Sequence, residues 1–337
     1  WNFDADSGKL TISGSGEMED YTQNNTPWNA DQYDIQTVVI ESGVTSIGEF
    51  AFSGCSNMNM ITIPADVASI GRGAFFGCAS LTSIAIPAGV TSIEASTFIN
   101  CTALAEVTLP DTVKRIGDSA FHQCHALKDL TLPSGLTSIG ERAFYACRSL
   151  TKVEIPNGVT YLGDYAFSVC NALTSVAIPS SVTSMGNYLF ENSGGLTSVT
   201  IPDGITRLGY GMFHGCSSLA SVVLPDSVTE IHDNAFSGCE QLADVYYAGS
   251  EADWKNITIS GTGNEPLNTA TIHYNWTGPE TEHTYVIGKV TAGTENSLTV
   301  DGVVYPLNIL AVHGDDFVGD YVCCTLTDGV VTDVNTL

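Results

Sequence analysis

Cysteine and histidine are the residue types of this 337-residue chain that could bind a metal or carry redox chemistry. Eight of the ten cysteines recur every 23 residues, apart from one gap of 46 in which Ser193 takes the missing position. They are Cys55, Cys78, Cys101, Cys124, Cys147, Cys170, Cys216 and Cys239. In stacked strands such residues would lie about 4.8 Å apart with parallel side chains, which lacks the dihedral geometry of a disulfide. We therefore expect a buried structural ladder of free thiols.

The other potential ligands form weak patterns. His122, Cys124 and His125 are the only local cluster of metal-binding residue types, but no partner motif accompanies them. We favour two exposed loop histidines over the alternative of a zinc site. Cys323 and Cys324 are adjacent in an expected strand, so their side chains should face opposite ways and form no disulfide. We predict no metal site and no cofactor.

Catalytic motifs are absent from the sequence. It contains no G-x-S-x-G nucleophile elbow, no H-E-x-x-H zinc motif and no G-x-x-x-x-G-K-[ST] phosphate loop. The glycines at Gly261 and Gly263 lack a βαβ context and are typical of a turn. The sequence therefore predicts that this chain is not an enzyme.

Composition and charge exclude other classes of protein. The 11 Lys and Arg and 37 Asp and Glu residues give a formal net charge of −26. This charge opposes binding to nucleic acid or to an anionic membrane, because both are polyanions. Hydrophobic residues make up 43%, which is enough for a core, and no apolar run approaches the ~20 residues that span a bilayer. The sequence begins at Trp1 inside what reads as folded chain, so no signal or anchor is visible.

The cysteine spacing is part of a larger repeat. Prolines at 64, 87, 110, 133, 156, 179, 202 and 225 follow the same period, as do phenylalanines from Phe52 through Phe144 to Phe236. The unit reads L-x-x-I-x-I-P-x-x-V-T-S-I-G-x-x-A-F-x-x-C, and residues 81–101 are a good copy. Self-similarity at a period of 20 to 50 residues indicates a solenoid. We predict one stacked array over residues 37–245.

Each repeat predicts one coil with two short strands. Ile84 and Ile86 alternate with small residues, which is the period of a strand. Pro87 lacks an N–H group and should end that strand at a corner. Residues 90–93 then predict a second short strand on the other side of the coil.

The second half of each repeat should close the coil. Glycines such as Gly48, Gly117 and Gly140 follow the second strand, where we expect a tight corner with positive φ. The Ala-Phe pair should then fill the interior of the coil from a helical or 3₁₀ turn, and the cysteine that follows should close the coil.

Both ends of the array depart from the period. Residues 1–36 contain Trp1, Trp28 and a polar stretch, and they predict an N-terminal cap. Residues 246–276 predict a C-terminal cap in which Trp254 covers the core of the last coil. Such caps are needed because a terminal coil has a neighbour on one side only.

The remaining sequence predicts a separate unit. Residues 277–283 read as a linker, and residues 284–337 predict a small β-barrel or sandwich. Its expected strands, at 285–290, 297–300, 303–307, 321–326 and 330–334, are separated by turn signals at 301–302 and 328–329.

The 23-residue unit resembles the BspA-like, or treponemal-type, leucine-rich repeat. The Trp-rich beginning and the segment from Tyr247 through Trp254 to Ile272 are similar to the caps of such arrays, so the resemblance covers about residues 1–275. It implies a leucine-rich-repeat solenoid, mostly β with short helical or 3₁₀ turns. It also implies a surface or secreted protein of a host-associated bacterium that adheres to host matrix proteins, host cells or other bacteria.

The strand surface is the first candidate for binding, because leucine-rich arrays expose a broad concave face. Its outward positions are mostly Thr, Ser and Ala, and the charged exceptions cluster in the middle of the array. They are Glu106, Lys128, Asp129, Lys152 and Glu154. Lys114 and Arg115 form a basic spot on the opposite strand. The alternative is a solvated face with cross-strand charge pairs, each worth roughly 0.2–1 kcal/mol.

The loop edge beside the phenylalanine column is the second candidate. Its aromatic residues are Phe76, His122, Tyr145, Tyr165, Tyr188 and Tyr210. Exposed rings could stack on sugars or anchor a protein partner. The alternative is that the rings stack on one another along the solenoid.

Together these features predict a non-catalytic recognition or adhesion protein, extracellular or at the cell surface. Its expected partner is a host matrix or cell-surface protein, a bacterial surface protein, or a glycan, bound through the repeat array. Two alternatives stay open. The array is a passive spacer that displays another domain, or it is the targeting part of a larger surface enzyme.

Overall fold

The computed structural model describes residues 1–277 in full and, beyond them, the backbone of five strands. It contains two compact units, Trp1–Asn275 and Trp276–Leu337. The first unit is a solenoid of stacked coils, and the predicted mostly-β fold class is confirmed. Among the described residues, no helix has the length and apolar character needed to cross a membrane.

Each coil of the solenoid contributes up to two short strands, one before the proline of the repeat and one after it. The first strands are Lys9–Ile12, Thr37–Ile40, Met60–Thr62, Ser83–Ala85, Glu106–Thr108, Lys152–Glu154, Ser175–Ala177, Ser198–Thr200, Ser221–Leu224, Asp244–Tyr247 and Thr271–His273. The second strands are Ser46–Ile47, Ser69–Ile70, Ser92–Ile93, Arg115–Ile116, Ser138–Ile139, Tyr161–Leu162, Ser184–Met185, Arg207–Leu208, Glu230–Ile231 and Thr258–Ile259. Within the repeats, paired strands run parallel at the 23-residue register, as Lys152 with Ser175 shows. We call the surface built by the first strands the first-strand face.

Among residues 1–277, helical structure is short and lies outside the repeats. It comprises the α-helix Glu251–Trp254 and the 3₁₀ helices Asn29–Asp31 and Glu265–Asn268. The Ala-Phe segments, predicted as helical or 3₁₀ turns, are hydrogen-bonded turns without regular helix. Left-handed residues interrupt them, such as Arg142 with φ 53° and Ala146 with φ 58°. A helix needs consecutive right-handed residues, so each segment ends after one turn.

The phenylalanine column forms the centre of the core. Rings from Phe52 to Phe236 stack on their neighbours with centroids 5.2 to 6.0 Å apart. Leu, Ile and Val side chains of both strands surround this stack, and most of them are buried. Every coil therefore buries its apolar residues against the coils before and after it, as the repeat predicts.

Residues 1–36 contain an additional coil that the 23-residue period does not reveal. Lys9–Ile12 pairs in parallel with Thr37–Ile40 at a spacing of 28 residues. Trp28 takes the place of the phenylalanine: its ring stacks on Phe52 at 5.8 Å, and its Nε1–H donates to the carbonyl oxygen of Ala51 at 3.0 Å. Because the coil is longer than the repeat, its sequence does not align with the others.

At the C-terminal end of the array, the last coil is covered by residues that make both polar and apolar contacts with it. The backbone N–H of Phe236 donates to Oδ1 of the buried Asn264 at 3.2 Å, and Leu267 is buried beside the last coils. Trp254 is half-buried and meets the ring of Tyr247 edge-on at 5.3 Å. The last coil is thus covered by several residues of 246–276, among which Trp254 packs against the core.

The glycines after the second strands have a different role from the predicted one. Gly48, Gly117 and Gly140 do not have positive φ. A Cβ atom at Gly117 would lie 2.8 Å from the backbone nitrogen of Ala95, and one at Gly48 would lie 1.8 Å from the carbonyl oxygen of Glu19. Glycine is required here because adjacent coils approach closely.

The second unit contains one five-stranded antiparallel sheet. Its strands, in spatial order, are Val303–Pro306, Ser297–Val300, Thr284–Thr294, Tyr321–Thr327 and Val330–Thr336. The described strands agree with the predicted all-β module, and its closure into a barrel or sandwich stays a prediction. Residues 278–283 of the predicted linker and the turns at 301–302 and 328–329 lie outside the described residues.

Candidate functional site

The five charged residues predicted as a binding patch lie together on the first-strand face. Glu106, Asp129 and Lys152 occupy the same repeat position, and Asp129 is directly paired with Lys152 in a parallel bridge. Lys128 precedes this column by one residue, and Glu154 follows it on the same strand as Lys152. All five residues are exposed. Elsewhere the corresponding positions hold mainly Ser, Thr and Ala, so the middle of the face is chemically distinct.

The charges of this patch are only partly neutralised. Lys152 and Glu154 form an ion pair, and the hydrogen bond from Lys152 lowers the pKa of the Glu154 carboxyl. The Thr151 hydroxyl donates to Asp129 at 3.2 Å. Within residues 1–277, Lys128 and Glu106 have no ion-pair partner. One cation and one anion are therefore available to a partner molecule.

The first-strand ladder is interrupted beside the patch. A two-stranded sheet ends at Glu106–Thr108, and a six-stranded sheet begins at Lys152–Glu154. Residues 127–133, which the structure describes in full, form no regular strand between them. A groove of about 600 Å³ opens there between residues 129–134 and 152–157. An adjoining groove of about 470 Å³ follows on the far side of the Lys152 strand.

The larger groove has an apolar floor and a charged rim. Leu130 and Leu132 contribute to its lining, together with Ile155 and the charged side chains of Lys152 and Glu154. The leucines are 9% and 8% exposed, whereas most leucines of the core have no exposed surface. An apolar centre with a polar rim is the usual anatomy of a recognition surface.

The central coils also carry most of the basic residues of the chain. Residues 114–152 contain six of the 11 Lys and Arg residues and three of the 37 acidic residues. The six are Lys114, Arg115, Lys128, Arg142, Arg148 and Lys152. This segment has a formal charge of +3 in a chain with a net charge of −26, so its electrostatic potential should differ in sign from that of the segments on both sides. Arg142 and Arg148 match no motif, but the charge of each repeat, read from the sequence, distinguishes them.

The loop edge presents two stacks of rings. Tyr165 lies parallel to Tyr188 with centroids 4.7 Å apart, and the Arg142 guanidinium lies 4.7 Å from the centroid of Tyr165. Gly211 lies against the Tyr188 ring, since a Cβ there would come within 2.4 Å of it. Both faces of the Tyr165 ring are therefore covered. Tyr165 and Tyr188 stack on one another along the solenoid, which is the alternative to a binding role.

Tyr145 has a more open arrangement. Its ring stacks on His122 at 4.8 Å, but the next residue of the column is the small, buried Ser168. Among residues 1–277, Tyr145 has no ring contact other than His122. Phe76, in the same column, is half-buried, and Tyr210 is 43% exposed beside His232. Tyr145 and His122 are the predicted edge residues that lie within the basic segment 114–152.

His122 and His125 are not the exposed loop histidines that the sequence predicts. Both are half-buried, and Nδ1 of His122 and Nε2 of His125 are buried without a hydrogen-bond partner in the described part of the chain. Burial lowers the pKa of both imidazoles, and the charges of Arg142 and Arg148 lower it further for His122 and His125 respectively. Both rings are therefore mainly neutral near pH 7.

The cysteine column lies inside the solenoid. Each thiol from Cys78 onward donates to the carbonyl oxygen of a phenylalanine one coil earlier, at 3.1 to 3.2 Å. Ser193 makes the same bond through its hydroxyl to Phe167 at 2.7 Å. Burial raises the pKa of Cys170 to about 12, so the thiol stays protonated. In the described residues no three His, Cys, Asp or Glu side chains are placed to hold a metal ion.

The adjacent cysteines of the second unit are placed by backbone only. Cys323 and Cys324 lie in the strand Tyr321–Thr327 and pair with Ile287 and Val286 of the neighbouring strand. Their side chains lie outside the described part of the structure, so their predicted lack of a disulfide stays a prediction.

Comparison with known proteins identifies the family to which the repeats belong. A family model described as a BspA type leucine rich repeat region, in six copies, matches residues 30–151 and 137–262. A leucine-rich repeat protein from Bacteroides ovatus is 26% identical with a TM-score of 0.51, covering 71% of this chain and 70% of that one. The T. pallidum leucine rich repeat protein is 31% identical with a TM-score of 0.45, covering 48% and 77%. A leucine rich cell surface protein from Faecalibacterium prausnitzii is 26% identical with a TM-score of 0.45, covering 76% and 95%. The comparison with curated proteins gives no match.

Proposed function

This chain belongs to the family of BspA-type leucine-rich repeat proteins, and on that premise we propose that it is a non-catalytic recognition protein. Proteins of this family typically serve in interactions with other proteins and carry no catalytic machinery of their own. The proposed partner is a host matrix or cell-surface protein, a bacterial surface protein, or a glycan. The proposed location is extracellular or at the cell surface.

The observation that carries this proposal is the centre of the first-strand face. There the small polar residues of the other coils give way to Lys128, Asp129, Lys152 and Glu154, beside a groove with an apolar floor. A passive spacer would need no such local change, since Ser, Thr and Ala serve the fold equally well in the neighbouring coils. The net charge of −26 supports a partner other than nucleic acid.

The repeat itself supplies substitutions that preserve the fold. Thr82 and Thr151 occupy the column of Lys128, and Ser83 and Ser175 occupy that of Lys152. The variant Lys128→Thr/Lys152→Ser therefore copies side chains that the array already holds at these positions. A matched control, Arg72→Ala/Arg207→Ser, also removes two exposed cations and copies Ala95 and Ser184.

Binding of the full chain to a panel of matrix proteins and glycans at physiological salt tests the proposal. We expect saturable binding, weakened at least about tenfold by the Lys128→Thr/Lys152→Ser variant, because two charge contacts contribute about 1.4 kcal/mol or more. The control variant should bind within about twofold of the wild type. Absence of binding at micromolar protein would favour the spacer, and equal loss in both variants would contradict a central site.

A further inference from the structure

We propose that the edge formed by Arg142, Tyr145 and Arg148 binds an acidic polysaccharide, one that carries sulfate or carboxylate groups along its chain. We call these three residues the basic edge. This proposal deepens the proposed function, and it rests on that function because it takes the array to recognise a surface component. It differs in the site, which lies beside the first-strand patch, and in naming the chemistry of the ligand.

The basic edge is a consequence of the repeat geometry. The three residues are spaced by three along the closing turn of one coil, while Ala143, Phe144 and Cys147 between them are buried. The turn is fixed by its own hydrogen bond from the Tyr145 N–H to the Arg142 carbonyl oxygen, at 3.1 Å. The inward side chains anchor the turn, so the outward ones are presented from a rigid backbone.

The charge of this edge is available to a ligand. Arg148 is exposed and has no ion-pair partner among residues 1–277. Arg142 pairs with Glu141 and lies over Tyr165, and its side chain keeps 41% of its surface exposed. A guanidinium presents several N–H donors in one plane, which matches the oxygens of a sulfate or carboxylate.

The basic edge continues onto the first-strand face. The Thr151 N–H donates to the carbonyl oxygen of Lys128 at 3.1 Å, so Lys128 lies beside the strand that follows Arg148. Lys128 is exposed and also lacks an ion-pair partner among the described residues. The carboxylates nearest along the chain are Glu141, which is paired with Arg142, and Asp129, which accepts a hydrogen bond from the Thr151 hydroxyl and keeps its negative charge. Arg142, Arg148 and Lys128 therefore form a row of cations in the central coils. The local charge of +3 over residues 114–152 attracts a polyanion there, although the net charge of −26 repels it from the rest of the chain.

Tyr145 makes a saccharide a better fit than an acidic peptide. Its ring stacks on His122 on one side, and the column continues with the small Ser168 on the other. The C–H face of a pyranose can pack on an aromatic ring while flanking guanidinium groups bind its acidic substituents. None of the three residues lines either of the two grooves of the first-strand face, where an apolar peptide side chain could be anchored.

The test uses the full chain with heparin, hyaluronan and neutral dextran as probes. The variant Arg142→Ser/Tyr145→Ser/Arg148→Ser copies side chains that the array holds in the same columns, namely Ser119, Ser168 and Ser217. Ser119 has φ 57°, like Arg142, so the left-handed position accepts serine. Single Tyr145→Ser and the control Arg72→Ala/Arg207→Ser accompany it, and thermal unfolding verifies that each variant is folded.

We expect heparin or hyaluronan to bind and dextran not to bind. The triple variant should lose about tenfold or more in affinity, Tyr145→Ser about threefold, and the control less than about twofold. Unchanged acidic-polysaccharide affinity in the triple variant, or equal binding of dextran, would overturn the proposal. An unaltered affinity in Tyr145→Ser would also overturn it, because attraction of any polyanion would then be sufficient.

The proposed protein-recognition site can fail independently of this one. Both sites are supported if Lys128→Thr/Lys152→Ser loses its protein partner and weakens heparin binding by a smaller factor than the triple variant does. Heparin binding lost in the triple variant without any protein partner for the first-strand face supports the basic edge alone. Loss of the protein partner in Lys128→Thr/Lys152→Ser, with unchanged heparin affinity in the triple variant, supports the first-strand face and overturns the basic edge.

Discussion

Replacing Phe144 by alanine is expected to destabilise the array by about 3–5 kcal/mol, the usual cost of removing a buried phenylalanine ring. Phe144 is 1% exposed and stacks between Phe121 and Phe167, with centroids 5.4 Å away on both sides. Its loss leaves a cavity between two coils that backbone hydrogen bonds hold in place, so the neighbours cannot close over it. Because contacts in a solenoid are between neighbours, the defect should also weaken coupling between the two halves.

Urea unfolding followed by circular dichroism measures this effect. The control is Tyr165→Ser, which removes a half-buried aromatic ring from the loop edge of the next coil and copies Ser119. Its stacking with Tyr188 should be worth about 1 kcal/mol. If the two variants were equally stable, the phenylalanine column would not be the main source of stability.

Replacing Gly163 by alanine is expected to cost about 3 kcal/mol, at the upper end of what overpacking usually costs. A Cβ atom there would lie 2.4 Å from the backbone nitrogen of Glu141 and 2.5 Å from the carbonyl carbon of Gly140. Backbone atoms cannot rotate away, so the two coils must separate. Glu94 and His232 stand in the same column elsewhere, so the cost arises from the local approach at Gly163.

The matched control for this substitution is Gly261→Ala. Gly261 does not have positive φ, and a Cβ added to it would meet no atom within 4 Å. We expect its unfolding midpoint in urea to stay at the wild-type value or rise slightly, because alanine reduces the freedom of the unfolded chain. A similar loss in both variants would contradict the close approach of coils as the reason for glycine at Gly163.

The sequence was sufficient for the fold because a repeat shows the environment of each residue several times. The proline position, the Phe52 to Phe236 column and the cysteine column were all read correctly as features of a stacked coil. The five strands of the second unit also fall where alternation and turn signals placed them. Each of these features depends on residues within one segment of the chain, so the sequence of that segment is enough to predict it.

Features that depend on the distance between coils were not predictable in the same way. The sequence predicts positive φ for the glycine after the second strand, but the structure shows that glycine is required there because the backbone of the adjacent coil is close. The first coil, with Trp28 in place of phenylalanine, was hidden by its 28-residue spacing. The interruption of the ladder at residues 127–133 has no signal in the repeat consensus, since Leu130 and Leu132 match it.

The candidate site was predictable in part. Alternation decides the side of a strand to which a residue points, and it predicts that Glu106, Asp129, Lys152 and Glu154 point outward. Lys128 lies one residue before this column, and its exposure required the structure. The stacking of Tyr165 on Tyr188, and the open side of Tyr145, depend on ring orientation and so required the structure. Arg142 and Arg148 belong to no sequence motif, and they stand out only when the local charge is compared with the net charge of −26 of the whole chain.

The most direct test of the central claim, that the middle coils are the recognition surface, is hydrogen–deuterium exchange of the full chain. Exchange would be measured alone and with the strongest saturable binder from the panel of matrix proteins and glycans. We predict new protection confined to residues 104–157, with the flanking segments 1–72 and 203–262 unchanged. Protection confined to those flanks or to the second unit, or no change at saturation, would contradict the claim.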